Sequence, residues 1–242
     1  MQLIKLDAID STNEFLKGLS NKQILNNFTV VTAESQTNGK GQMGAIWASE
    51  PSNNLIMSVL VKNFLLDINA VFDLNIVVSL ALIAVLEECN VPKLSIKWPN
   101  DIMSDNKKIG GILIENSIKS DGSISSVVGL GLNVNQTNFD NLPKASSLAV
   151  VSNVFFDKQE LLIRIVEKME RKISEWNQQS TSSWIEYAEK LFKKGIPMPF
   201  EGQTGKQFMG IIQGVSAIGK LEILLVDDSI SRFDIKEIQM LY

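Results

Sequence analysis

Asp101 and Lys108 are the pair of side chains in this sequence whose types and spacing most directly suggest chemistry. A carboxylate and an ammonium flank a short polar turn, Ser104-Asp105-Asn106, and would meet at one end of a hairpin. Gly110 and Gly111 follow at once, where missing side chains let a ligand approach the backbone closely. The chain has no histidine, which removes Ser-His-Asp and Cys-His triads and the commonest zinc ligand. Chemistry here must rest on carboxylates, lysines, backbone amides or a bound cation. That favours a reaction governed by positioning and charge neutralisation, such as adenylation. The same spacing also suits a surface hairpin carrying a routine ion pair.

The elements that would position this pair can be read around it. Residues 94–98 form a short apolar run that Pro99 must end, because proline cannot donate to a sheet ladder. Residues 109–115 read as the second strand of the hairpin. Upstream, residues 3–9 alternate apolar and polar, and Ser11-Thr12-Asn13-Glu14 opens a helix with capping-box spacing. Ser11 is therefore a cap, a ligand contact, or both, since a helix N-terminus also presents free amides.

Residues 28–33 and 54–61 read as further strands. Between them, Gly39, Lys40, Gly41, Gln42 and Gly44 lie in a polar, glycine-rich stretch that reads as a mobile loop. It meets neither the Walker A spacing nor the dinucleotide fingerprint, although convergent amides and Lys40 suit an anion. Trp47 is either a core plug or a stacking platform. Residues 74–86 are apolar almost all round, as a fully buried helix requires. Residues 125–128 form a strand leading into Gly129-Leu130-Gly131-Leu132-Asn133, a weak motif when taken alone.

Asp157 caps an amphipathic helix running to about Trp176, and Ser182 or Ser183 starts a shorter one through Phe192. After Lys193-Lys194-Gly195 the composition changes to short strands separated by glycines, a pattern that suggests a small β-barrel. The expected fold is α+β: a mixed sheet with helices on one side, then the barrel. The expected division is 1–194 and 195–242.

Net charge is −4, which argues against a general nucleic-acid binder. The single Cys89, in an apolar helical pattern, excludes an intrachain disulfide and fits a reducing compartment. The N-terminus has no signal-peptide architecture, and no uncharged apolar run is long enough to span a bilayer.

Lys97-Trp98-Pro99-Asn100-Asp101 with Lys108-Ile109-Gly110-Gly111-Ile112 resembles the core signature of biotin protein ligases. The resemblance extends in order through Ser11-Thr12-Asn13, Gln36 to Gly41, Trp47 and Gly129 to Asn133. It implies an enzyme that makes biotinyl-AMP from biotin and ATP with Mg2+, then biotinylates the carrier domain of acetyl-CoA carboxylase. By the same resemblance Ser11, Thr12, Asn13 and Gln36 contact biotin, and the loop carrying Gly39, Lys40, Gly41 and Gln42 closes over the adenylate. Asp101 would hold magnesium and phosphates, with Lys108 neutralising charge beside Gly110 and Gly111. Lys40, Trp47, Asn100, Gly129, Gly131 and Asn133 would form the nucleotide site. The family's C-terminal barrel is SH3-like.

The chain begins at the catalytic core, so the DNA-binding domain of some relatives is not expected. A cytoplasmic location is expected, and the resemblance also admits a homodimer. One departure stands out: Gln42, Met43 and Ala45 occupy a loop where the family usually carries several arginines. Neutral donors in place of planar cationic forks imply a looser hold on the adenylate. Lipoate or octanoate acyltransferases of related fold, and a binding module without turnover, are the competing readings.

Overall fold

A computed structural model describes residues 1–65, 67, 70–119, 121–140 and 142–242. Seven strands form the main sheet: β1 (Gln2–Ile9), β2 (Thr29–Gln36), β3 (Leu55–Lys62), β4 (Leu94–Lys97), β5 (Asp101–Ser104), β6 (Lys107–Ile118) and β7 (Ile124–Leu132). Their order across the sheet is β1-β2-β3-β7-β6-β5-β4. β1 and β2 run parallel, joined through helix α1 (Thr12–Lys22), and every other pair is antiparallel.

The period-two alternation of side chains along a strand divides the sheet into two faces. Val31, Leu60 and Val127 pack with Leu16 of α1 on one face. Their neighbours Val30, Val59, Val61 and Val128 pack on the other, with α2 (Val71–Glu88) and α4 (Lys158–Glu189). Helices therefore cover both faces, not one as expected. Helix α2 is buried almost all round, from Leu74 to Leu86, because it lies between the sheet and α4. Each such Leu, Ile or Val contributes about 1.5–3 kcal/mol relative to exposure.

Two local readings are also corrected. The expected hairpin is a three-stranded meander, because Asp101 begins its own short strand, β5, between the other two. The two helices expected after Asp157 are one, α4; residues 177–183 contain neither glycine nor proline to stop it. A short helix, α3 (Leu148–Ser152), precedes it.

The C-terminal strands are β8 (Pro197–Gly202), β9 (Gln207–Val215), β10 (Leu221–Leu224), β11 (Ile230–Phe233) and β12 (Ile238–Met240). They form an open antiparallel sheet in the order β11-β10-β9-β8-β12, and this overturns the expected SH3-like barrel. Closure would require the edge strands to pair, yet among the described residues β11 pairs only with β10 and β12 only with β8. The apolar residues Phe200, Ile212, Leu221 and Ile223 join the same core as α2 and α4. Burial against the main body replaces burial inside a barrel. The indole Nε1 of Trp98 donates to Gly219 O at 2.9 Å, and Phe72 lies against the same glycine.

Candidate active site

A cavity of about 780 Å³ opens on the α1 face of the main sheet, where that sheet meets the C-terminal one. Its floor is a polar network anchored at the start of α1. Ser11 caps the helix, accepting from Glu14 N at 3.4 Å, and so fixes Thr12 and Asn13 in the first turn. Thr12 donates to Gln36 Oε1 through both its backbone N at 2.8 Å and its hydroxyl at 3.1 Å. Ser58 Oγ lies 2.6 Å from Asn13 Oδ1, to which it donates, and 2.8 Å from Thr12 Oγ1. The Asn13 amide in turn donates to Glu115 Oε2 at 2.9 Å, and Lys17 pairs with the same carboxylate.

Glycines clear the space beside this network. A Cβ at Gly129 would fall 2.4 Å from Asn13 Oδ1, and one at Gly131 would fall 2.4 Å from the Trp47 ring. Gly111, paired with Gly131 across β6 and β7, lies on the same face, again beneath Trp47. The indole N–H of Trp47 is buried with no hydrogen-bond partner among the described residues. Its ring stands 5.4 Å from Lys108 Nζ.

At the other end of the cavity Lys108 Nζ meets Asp101 Oδ1 at 2.6 Å, and Lys97 Nζ approaches Oδ2 at 3.6 Å. One carboxylate between two ammoniums leaves a net positive spot, suited to an anion. The phenol of Tyr242 is raised above its ordinary range, first by burial and then by the nearby Asp101 charge, so it stays protonated at neutral pH.

The glycine-rich loop is ordered by local contacts. Gly41 N donates to Ala45 O at 2.7 Å, Trp47 N donates to Gly39 O at 2.9 Å, and Met43 takes a left-handed conformation. Lys40 reaches Glu14 at 2.8 Å, and Lys236 from the C-terminal unit donates to Met43 O.

Most of the residues singled out from the sequence come together here: Ser11, Thr12, Asn13, Gln36, Lys40, Gly41, Gln42, Trp47, Asn100, Asp101, Lys108, Gly111, Gly129 and Gly131 all line the cavity. Gly39, Gly110 and Asn133 do not. Gly39 lies tight against the backbone of Trp47, and Gly110 against that of Gly131. Asn133 is buried with its amide donating to Ser146 O. Asn100 exchanges backbone and amide hydrogen bonds with Ile112, so its side chain holds the meander together. Sequence reasoning missed Ser58, Tyr242 and Lys236, and gave no role to Lys97 or Glu115. The signal for Ser58 was one hydroxyl among the apolar residues of 55–61.

The fold and this cavity belong to one class of protein. Residues 6–135 match the Biotin/lipoate A/B protein ligase family, and the chain belongs to that family. It is 30% identical over 179 residues to the bifunctional ligase/repressor BirA of Bacillus spizizenii, covering 72% of this chain and 54% of that protein. The chain thus spans about half the length of the Bacillus relatives it matches. It is also 28% identical over 195 residues to the biotin–[acetyl-CoA-carboxylase] ligase of Mycobacterium tuberculosis, covering 79% and 71% of the two chains. Among solved structures, the biotin protein ligase from Aquifex aeolicus in complex with biotin and ATP superposes with a TM-score of 0.81 at 25% identity, covering 99% of this chain and 98% of that one.

Proposed function

We propose that this chain joins biotin to ATP as biotinyl-AMP and passes the biotinyl group to a lysine of a biotin carboxyl carrier domain. The observation that carries this reading is the arrangement of a single cavity. A polar, hydrogen-bonding floor at Thr12, Asn13 and Gln36, backed by the buried Ser58, is joined to a cationic spot at Lys108, Lys97 and Asp101. A small polar ring system with a carboxylate tail suits the two ends.

In the first step a biotin carboxylate oxygen attacks the α-phosphorus of ATP, the bond from that phosphorus to the bridging oxygen breaks, and pyrophosphate leaves. Two anions must approach one another, so the Lys108 ammonium lowers the barrier by offsetting charge that peaks in the transition state. In the second step a deprotonated lysine amine attacks the acyl carbon, its nitrogen gives up one proton to solvent, the acyl–oxygen bond breaks, and AMP leaves. Lys108 again faces the charge that gathers on phosphate.

Among the described residues no group of three His, Cys, Asp or Glu side chains could hold a metal alone. Magnesium commonly binds through one or two carboxylates together with substrate phosphates, and Asp101 fits that pattern. When bound, the ion supplies further neutralisation of the triphosphate. The loop around Lys40 and Gln42 covers the mixed anhydride and excludes water, which would hydrolyse it.

The test is ATP–pyrophosphate exchange with biotin, lipoate or octanoate as the acid. Exchange that depends on biotin supports this reading. Exchange with lipoate alone moves the chain to the other branch of the family, and biotin binding without exchange makes it a binding module.

A further inference from the structure

Beside the cavity lies a second hollow of about 360 Å³, bordered by Lys107, Lys144, Lys193, Met198 and Tyr242. We propose that this hollow docks acidic residues flanking the target lysine of the protein acceptor; the inference rests on the ligase reading above.

Lys107, Lys144 and Lys193 come from three separate segments: the start of β6, the loop after residue 141 and the turn after α4. None of them forms an ion pair with a carboxylate among the described residues, whereas neighbouring Lys93 pairs with Asp105 and Lys190 with Glu87. Lys107 donates to Pro143 O, Lys144 lies 4.3 Å from the Tyr242 ring, and Lys193 lies 5.1 Å from the Phe192 ring. Contacts to carbonyls and ring faces leave their charge uncancelled. In a chain of net charge −4, such a concentration of positive potential is a local feature that selects an acidic partner.

The hollow is tied to the reacting end of the cavity. Lys108 N donates to Lys144 O at 2.8 Å and Ser146 N donates to Lys108 O at 2.9 Å, so the segment carrying Lys144 is fastened to the backbone of Lys108. The Tyr242 ring, which borders the hollow, stands 5.1 Å from Nζ of Lys97, a residue that lines the cavity. A protein surface seated on the three lysines therefore places its adjacent residues at the cavity mouth, beside Lys97 and Lys108. Position and charge together favour the acceptor as occupant, because it must present one side chain there while the rest of it stays outside.

The experiment compares the wild-type chain with Lys107→Glu, Lys144→Glu, Lys193→Glu and the triple variant. The probe is the purified apo carrier domain of acetyl-CoA carboxylase. The triple variant should raise KM for the carrier about tenfold or more, while ATP–pyrophosphate exchange with biotin stays within about twofold of wild type. Wild-type kcat/KM for the carrier should fall as salt is added, and that of the triple variant should respond much less. An unchanged carrier KM overturns the inference. So does a parallel loss of exchange, which would assign the hollow to the nucleotide's phosphates. If the wild-type chain supports no biotin-dependent exchange, the ligase reading itself fails and this inference falls with it; that outcome is visible before any variant is made.

Discussion

Lys108 reaches Asp101 at 2.6 Å because the pairing of β5 with β6 shifts register between Ile102 and Met103. Asp101 pairs with Gly111 and Met103 with Lys108, so Lys108 and Gly111 share a face although they stand three positions apart. In a regular strand an odd separation puts side chains on opposite faces. The extra residue turns Lys108 toward the cavity, as bulges beside active sites commonly do.

If the ammonium serves the transition state, its removal harms rate more than binding. Lys108→Ala should lower adenylation by about 10²-fold or more, with a smaller loss of biotin affinity, and Lys108→Gln should be nearly as poor. Single-turnover adenylation beside equilibrium biotin binding checks this. Wild-type rates in either variant would remove Lys108 from its assigned role.

The floor of the cavity makes a steric prediction. A methyl group at Gly129 would sit 2.4 Å from Asn13 Oδ1, so Gly129→Ala must push the amide out of its bonds to Ser58 and Glu115. Biotin affinity should fall about tenfold, equivalent to roughly 1.4 kcal/mol. Calorimetric titration with biotin would show it, and unchanged affinity would mean that Asn13 takes no part in binding.

The tie between the glycine-rich loop and α1 is sensitive to pH. The hydrogen bond from Lys40 holds the Glu14 carboxyl below its ordinary value of 4.5, and the same contact raises Lys40 above 10.5. A lowered acid contributes stability above its ordinary value and loses it as pH falls through the lowered one. The raised lysine contributes below its ordinary value and loses that as pH rises through the raised one. Between these limits the loop is tied. Proteolysis of residues 39–47 in the unliganded chain, after correction for protease activity, should therefore speed up as pH drops from about 6 to about 3. Glu14→Gln should be cut two- to threefold faster, by rough expectation, already at neutral pH. Equal rates for wild type and variant would show that the ion pair does not restrain the loop.

The chain should separate into units near residues 194 and 195, since Lys193 and Gly195 both take left-handed conformations in the turn after α4. Limited proteolysis should cut this turn before the first half of α4, where Leu161, Leu162, Ile165 and Val166 are buried. The Phe200 and Ile212 side chains join the main core, so the released unit should remain associated under native conditions. Cleavage first within α4 would contradict this division.

Much of the site was legible because glycine and capping signals are local. Ser11 with Glu14 announced the start of a helix, and Gly129 and Gly131, two apart on a strand, had to share one face. What escaped depended on partners distant in sequence. Ser58 is a single hydroxyl among apolar neighbours until Asn13 meets it. The bulge that aims Lys108 leaves no mark in composition. Asn133 keeps the parity of Gly129 and Gly131, yet it lies one residue past the end of β7 and is buried, its amide donating to Ser146 O, a partner that the motif does not announce. The barrel failed for the same reason: five short strands could be counted, but whether their edges pair depends on what the apolar side packs against.

The most direct test of the central claim is a rapid-quench experiment on the wild-type chain with labelled biotin, ATP, magnesium and the apo carrier domain. The account predicts that biotinyl-AMP appears first and then decays as biotin accumulates on the carrier lysine. Omitting the carrier should leave the adenylate standing. Label reaching the carrier without ATP, or no adenylate at any time, would contradict it.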